Sequence, residues 1–412
     1  MILHFALRQR YYSQRRGIER MRTSRLPEGG MNLFQEIKAK RVEATAKGIE
    51  IINLSIGQPT GAALLSARNE AARVVMLDEE RVHEYQDNTC HYIPDFAKRF
   101  VQAHFKDKFL EGADVGYLPI PGIKPMLGLI PLACGAHLEQ FKVATTTKPG
   151  YSTPADWCGY LQVFQYSLLL NPENGFRFQA RDIEPGTALV MTNYPHNPSG
   201  QIATREWWQK ICAVCETNNI RLFNDNPYYI LSHDPASCAL SEVAVNYRDL
   251  SWAEAFSASK VIRNGTGWRI GAIVGSKDFV ADIMTIKGNT DSGFASPMAA
   301  GALDAIENDR ENIRNIREIY EKRINLLITI LTKHGMRLAV NPGAGFFTLW
   351  LRPNYFFGEK VQDAKHFNFQ MIERTGVTGV QFDPYIRYAV CDNVEDMADK
   401  IEAAFKAAEV SY

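Results

Sequence analysis

Three apolar runs in this chain each end in a cluster of reactive side chains. Ala188-Leu-Val-Met-Thr ends in Asn193-Tyr-Pro-His-Asn197-Pro-Ser-Gly200, and Arg221-Leu-Phe-Asn ends in Asp225-Asn-Pro-Tyr228. Trp252-Ala-Glu-Ala-Phe ends in Ser257-Ala-Ser-Lys260, with Gly267-Trp-Arg269 close behind. Open α/β sheets bind ligands beyond the carboxyl ends of their strands, so clusters at strand ends can converge on one site. The chemistry on offer is a lysine amine that can act as nucleophile or base and a carboxylate that can hold a cation beside it. Asp225 before Asn-Pro and Asn197 before Pro also read as turn formers, and for Asn197 the two roles are compatible.

The progression N-P-x-G, D-x-x-Y, S-x-S-K, G-x-R resembles the class I/II aminotransferases, fold-type I enzymes that use pyridoxal 5'-phosphate. The resemblance covers about residues 50 to 390 and rests on the order and spacing of the motifs rather than on any one of them. It implies an α/β fold: a large three-layer α/β/α domain with a mostly parallel sheet, plus a smaller α+β domain. It implies that Lys260 holds the cofactor aldehyde as a Schiff base and later shuttles a proton, a task helped if burial among cations lowers its pKa. Asp225 then keeps the ring nitrogen protonated, and Asn197 and Tyr228 hydrogen-bond the ring's phenolic oxygen. Tyr151, in Lys148-Pro-Gly-Tyr, matches the aromatic that stacks on the ring.

A phosphate needs helix N-terminal amides and cations. Pro119-Ile-Pro-Gly122-Ile123-Lys124, ahead of an apolar helix from Met126, is the expected cup, completed by Ser257 and Arg269. Its Gly-Ile-Lys is similar to the Gly-Ala-Lys of the diaminopimelate aminotransferase branch, and the likeness as a whole is to aspartate and diaminopimelate members. Arg269 stands nine residues after Lys260, where many relatives have eight, which leaves Arg263 as an alternative; Gly267-Trp-Arg269-Ile-Gly favours Arg269. Arg387, in Tyr385-Ile-Arg387-Tyr, resembles the late arginine whose fork holds the substrate carboxylate, and Gly57 resembles the glycine whose backbone meets the same group. Tyr85, with Tyr92 as alternative, matches the tyrosine that relatives send into a neighbouring subunit's phosphate site. That implies a homodimer with the active site at the interface. The side-chain pocket is less legible: Lys287, Asn289, Tyr194, His196 and Trp268 are its candidates, with Lys287 read more simply as a solvated surface lysine.

The elements that must position these residues follow from periodicity. Met31 to Lys47 has helical spacing in Leu33, Phe34, Ile37 and Val42, and Ile49 to Ile56 reads as a strand closed by Gly57-Gln-Pro59. Short apolar runs then alternate with helical stretches to about residue 300, the pattern of β-α units on a mostly parallel sheet. A long charged helix, Asp309 to His334, leads to a C-terminal region ending in a helix from Val394 to Glu409. The expected organisation is an N-terminal extension (1–30), a small domain (31–74 and 306–412) and a large cofactor-binding domain (75–305).

Composition narrows the function classes. In 412 residues, 46 Lys+Arg balance 46 Asp+Glu, without the basic excess of a non-specific nucleic-acid binder. The longest apolar run is about Met126 to Leu138, too short to span a bilayer. Seven cysteines are not a disulfide framework, and Cys212-Ala-Val-Cys215 falls on a helical apolar face with no partner pair for a metal. This usage suits a reducing, cytoplasmic setting. The first 25 residues hold seven Arg and one acid, Glu19, a weak match to a transit peptide and more simply a frayed or docked extension. The expected partners are an amino acid and a 2-oxo acid, with no nucleic acid, membrane or metal. Transamination by a ping-pong route is the first reading, a C–S or β-lyase on the same cofactor the alternative, and a non-catalytic regulator the third.

Overall fold

The computed structural model of the protein describes residues 33–412 except 108 and 139. The expected extension at 1–30 lies outside the described residues. The first strand, β1 (Ile52–Asn53), is followed by seven that form the central sheet: β2 (Val115–Ile120), β3 (Lys142–Thr145), β4 (Phe164–Ser167), β5 (Leu189–Thr192), β6 (Arg221–Asn226), β7 (Trp252–Ser257) and β8 (Gly271–Ser276). Their order is β2-β8-β7-β6-β5-β3-β4. The pairs β4-β3, β3-β5, β5-β6 and β6-β7 are parallel, while β8 runs antiparallel to both its neighbours. β5 and β7 are buried along their whole length, which their unbroken apolar runs require when helices cover both faces. Met126, Leu127, Phe279 and Ile283 fill one face, and Trp208, Ile211, Cys212 and Cys215 the other.

A second, antiparallel sheet joins β9 (Phe347–Leu351), β13 (Val380–Phe382) and β14 (Tyr385–Ala389) in the order β13-β14-β9. Between them, β10 (Tyr355–Phe356) and β11 (Glu359–Lys360) make a small hairpin, and β12 (Val377–Thr378) pairs with β1. Helix Arg310–Lys333 buries Ile313, Ile316, Tyr320, Ile324, Leu327 and Leu331, spaced three or four apart, and Val394–Ala408 packs beside it. The strand expected over Ile49 to Ile56 is reduced to Ile52–Asn53, because its partner β12 offers only two residues. Helix Leu65–Val75 packs against helix Ser296–Asn308, closely enough that a Cβ on Gly301 would lie 2.3 Å from the Ala67 carbonyl oxygen. Helix Leu33–Ala46 lies on helix Ala364–Thr375, with Ile37 and Ala44 buried against Ile372 and Val380, and with Lys40 paired to Glu373. Among the described residues no helix is long and apolar enough to cross a membrane.

Candidate active site

The ends of β5, β6 and β7 meet at the mouth of the sheet. Strand alternation decides which β6 side chains face the cavity there. Asn224 and Asn226 turn to one side, and both donate to Glu254 Oε1 on β7, at 2.8 and 2.7 Å. Asp225, between them, points the other way into the cavity. Its Oδ1 is buried and has no hydrogen-bond partner among the described residues. The end of β5 is tied to the end of β6 through Asn193: its Nδ2 donates to the Asp225 carbonyl oxygen at 2.8 Å, and its Oδ1 accepts from the Asn197 N–H at 3.0 Å.

Lys260 follows β7 on the short helix Ala258–Val261, whose N-terminus Ser257 caps by accepting from the Ser259 N–H at 3.1 Å. Lys260 Nζ donates to the Gly57 carbonyl oxygen at 2.8 Å, so the loop after β1 reaches the mouth of the central sheet. Arg387 comes in from β14. It is 1% exposed, donates through Nη1 to Asn197 Oδ1 at 2.8 Å and through Nη2 to the Ser55 carbonyl oxygen at 2.6 Å, and lies 4.5 Å from the Phe347 ring centroid. Its Nε is buried without a partner. Tyr228 is packed edge-on against Phe346 and Phe347 beside it.

The start of helix Ile123–Ala133 forms the cup. Gly122 has φ +77°, and a Cβ there would stand 2.4 Å from Arg269 Nη2. Glycine is what lets the Arg269 guanidinium lie against the helix start. Arg269 Nη1 donates to the Thr266 carbonyl oxygen at 2.9 Å. Arg263 turns instead toward Gly61, so of the two candidate arginines it is Arg269 that reaches the cavity.

Gly57, Ile123, Lys124, Tyr151, Asn197, Asp225, Tyr228, Ser257, Lys260, Arg269 and Arg387 all line one cavity of about 1020 Å³. Burial governs its electrostatics. It pushes the Asp225 carboxyl up to about 7 against the pull of Lys260. It pushes the Lys260 ammonium down to about 8, with Arg269 and Arg387 adding to the effect and Cys391 and Asp225 opposing it. It brings Arg387 down to about 10, and it raises the Tyr228 phenol well above its usual range. A site whose buried side chains disfavour isolated charges of both signs suits a ligand carrying the complementary ones.

Residues 49–391 match the family model for aminotransferase class I and II. The chain is a class I and II aminotransferase. It is 28% identical over 396 residues to the LL-diaminopimelate aminotransferase of Syntrophobacter fumaroxidans, covering 90% of this chain and 94% of that protein. It is 26% identical over 374 residues to the enzyme of the same name from Methanocaldococcus jannaschii, covering 88% and 86%. Its fold is shared with the aspartate aminotransferase of Rhizobium meliloti, with a TM-score of 0.81 and 18% identity over 94% of this chain and 99% of that one. A probable N-succinyldiaminopimelate aminotransferase of Thermus thermophilus has a TM-score of 0.76 and 18% identity, covering 91% and 100%.

This aminotransferase is an enzyme of the pyridoxal-phosphate-dependent class, with an amino acid and a 2-oxo acid as its substrates. The residues present fit that cofactor. The unpartnered Asp225 Oδ1 matches a ring N–H, the helix start at Ile123 and Lys124 with the Arg269 guanidinium laid against Gly122 matches a phosphate, and Lys260 supplies an amine in the same cavity. Ser259 and Asn193 also line the cavity, and the sequence motifs assign neither. The second serine of Ser257-Ala-Ser-Lys260 is a signal for the first; nothing local marks the second. One sequence expectation is overturned: Lys287 is not a solvated surface lysine. It is fully buried, pairs with Asp291 at 2.6 Å and donates to Asn88 Oδ1 at 3.1 Å. Neither it nor Asn289, Tyr194, His196 or Trp268 lines the cavity, and Tyr194 is spent on the Phe176 carbonyl oxygen at 2.6 Å.

Proposed function

We propose that this aminotransferase works through the cavity around Lys260, with Lys260 anchoring the cofactor and carrying the proton. The observation that carries the reading is the convergence of a half-buried amine with a lowered pKa, an unpartnered buried carboxylate and a buried arginine fork in one cavity. When bound, pyridoxal phosphate takes up the electrons released as a bond to the substrate α-carbon breaks. The Asp225 carboxylate would hold the ring N–H. Asn197 and Tyr228 would hydrogen-bond the ring's oxygen, and Tyr151 would stack on the ring. Gly122, Ile123, Lys124, Ser257 and Arg269 would hold the phosphate. Arg387, held in place by Asn197 and Ser55, orients the substrate carboxylate together with the Gly57 backbone, and Lys260 Nζ accepts and returns the α-proton. The proposed large domain (75–305) and small domain (31–74 and 306–412) both contribute to the cavity, Lys260 and Asp225 from the first and Gly57 and Arg387 from the second.

The test is the visible spectrum of the purified protein with single amino acids, LL-diaminopimelate first because the relatives carry that name. A yellow band that one donor bleaches and a 2-oxo acid restores is the expected result. Turnover that needs no 2-oxo acid would overturn it. In the same assay Arg387→Ala should raise the amino-acid KM and lower kcat/KM about 10²- to 10³-fold, the size expected when one partner of a buried charge pair is removed. The cofactor band should persist. An unchanged kcat/KM would remove Arg387 from the site.

The proposal extends to a cytoplasmic homodimer. All seven cysteines are unpaired thiols, which supports a reducing compartment. Tyr85 is 77% exposed and outside its own chain's cavity, as a residue reaching a neighbouring subunit must be. The loop behind it is anchored: Gln86 is buried and donates to the carbonyl oxygens of Arg81 and Glu84 at 2.9 and 3.0 Å. Sedimentation should return twice the 46.5 kDa chain mass, and Tyr85→Ala should weaken cofactor retention without changing that mass. A fully active monomer would defeat the shared-site reading.

A further inference from the structure

The cavity carries more positive charge than the chemistry just assigned to it uses. Among the described residues six cations line it, Lys38, Arg41, Lys124, Lys260, Arg269 and Arg387, against the one carboxylate of Asp225. Lys260 is the reactive amine, Lys124 and Arg269 stand at the phosphate cup, and Arg387 faces the α-carboxylate. Lys38 and Arg41 remain, and both come from helix Leu33–Ala46.

That helix turns Phe34, Lys38, Arg41, Val42 and Thr45 toward the cavity, a stripe at helical spacing. It is held in position from behind. Ile37 and Ala44 bury against Ile372 and Val380, Glu36 pairs with Lys365 at 2.8 Å, and Lys40 pairs with Glu373. The charges on the outer side of the helix are therefore neutralised by the fold, whereas Arg41 is not. Among the described residues its Nε is buried with no hydrogen-bond partner. Burial moves its titration downward, and no carboxylate among the described residues acts to restore it. A partly desolvated guanidinium without a counter-ion is costly in the empty site and is compensated when a ligand brings an anion.

Building on the transaminase reading of the Lys260 cavity, we propose that Arg41 binds the distal carboxylate of the substrate, so that the amino and 2-oxo acids exchanged here are dicarboxylic. Arg387 holds one end of such a molecule and Arg41 the other. Phe34 and Val42, on the same stripe, offer apolar surface to the methylenes between the two ends. Lys38, one turn before Arg41, adds to the positive field without a buried, unpartnered fork of its own.

Calorimetric titration of the holoenzyme with glutarate and with pentanoate tests this. Both acids have the same carbon count and neither can be turned over. The wild type should bind glutarate more tightly. Arg41→Gln should weaken glutarate about 10- to 100-fold, the range for losing a hydrogen bond to a charged group, and move pentanoate by less than about twofold. Arg41→Lys should recover part of the glutarate affinity. Equal affinities in the wild type, or a glutarate preference that survives Arg41→Gln, would overturn the assignment. Failure of the transaminase reading would appear elsewhere, as turnover that needs no 2-oxo acid, while these two titrations depend on no turnover at all.

Discussion

Lys260→Ala should lower transamination at least about 10⁴-fold, equivalent to about 5.5 kcal/mol of transition-state stabilisation. Positioned proton transfer alone contributes up to about that factor, and the variant also loses the amine that anchors the cofactor, so the yellow band should disappear. Small primary amines added to the buffer should restore part of the rate, more so as their basicity rises. A variant that kept a tenth of the wild-type kcat would exclude Lys260 as the proton carrier. The lowered pKa makes a separate prediction. Burial, with Arg269 and Arg387, brings the Lys260 ammonium to about 8, so the neutral amine dominates above that pH. In cofactor-free protein, labelling of Lys260 by an acylating reagent should rise about tenfold per pH unit up to about pH 8 and then level off. A rise that continued beyond about pH 10, the ordinary lysine range, would show an unperturbed amine.

Asp225→Asn should cost activity and at the same time stabilise the cofactor-free protein. The amide cannot keep a ring nitrogen protonated, and losing one such electrostatic partner is worth about 10²- to 10³-fold in kcat. The stability effect has the opposite sign. Burial raises the folded-state carboxyl from 3.8 to about 7, so the empty protein prefers it protonated. Stability from this group is complete below about pH 4 and is lost as pH rises through about 7, for a penalty of about 4 kcal/mol at pH 8. The substituted amide cannot ionise and avoids that penalty. The apo variant should therefore melt higher than apo wild type at pH 8, with the gap closing as pH falls toward 4. Adding pyridoxal phosphate should reverse the order, because only the wild type gains a cationic partner for the carboxylate. A variant that melted lower than wild type in the empty state at pH 8 would show that Asp225 is already satisfied by the protein alone.

Most of the site was legible because its residues sit at the ends of sheet strands. Asn197, Asp225, Ser257 and Lys260 follow apolar runs by a few residues, and parallel β5, β6 and β7 bring their carboxyl ends together whatever the intervening helices contain. The cup was marked by Pro119-Ile-Pro-Gly122-Ile123-Lys124 ahead of an apolar helix, and the structure adds that Gly122 takes φ +77° beside Arg269. The choice of Arg269 over Arg263 rested only on Gly267-Trp-Arg269-Ile-Gly, and which way each guanidinium leaves the loop was settled by packing, with Arg269 at the cavity and Arg263 at Gly61. Lys287 was misread for a related reason: its partner Asp291 stands only four residues on, but the burial of the pair and the second acceptor, Asn88, 199 residues away, are set by packing.

From the sequence alone, the resemblance of its ordered motifs pointed to the family and the cofactor class, and the alternation of apolar runs with helical stretches determined the α/β fold with its mostly parallel sheet and the residues presented at strand ends, because that spacing translates directly into backbone geometry. The tertiary structure decided what long-range packing controls. It brought Arg387 from the second sheet to within 2.8 Å of Asn197, 190 residues earlier in the chain. It laid the Gly57 carbonyl on Lys260 Nζ. It also turned the stripe of helix Leu33–Ala46 that carries Arg41 toward the cavity, when the apolar pattern of that helix marked only that some face would be buried. Burial then shifted the pKa of Asp225 and Lys260 toward each other, a consequence of desolvation that no sequence spacing encodes.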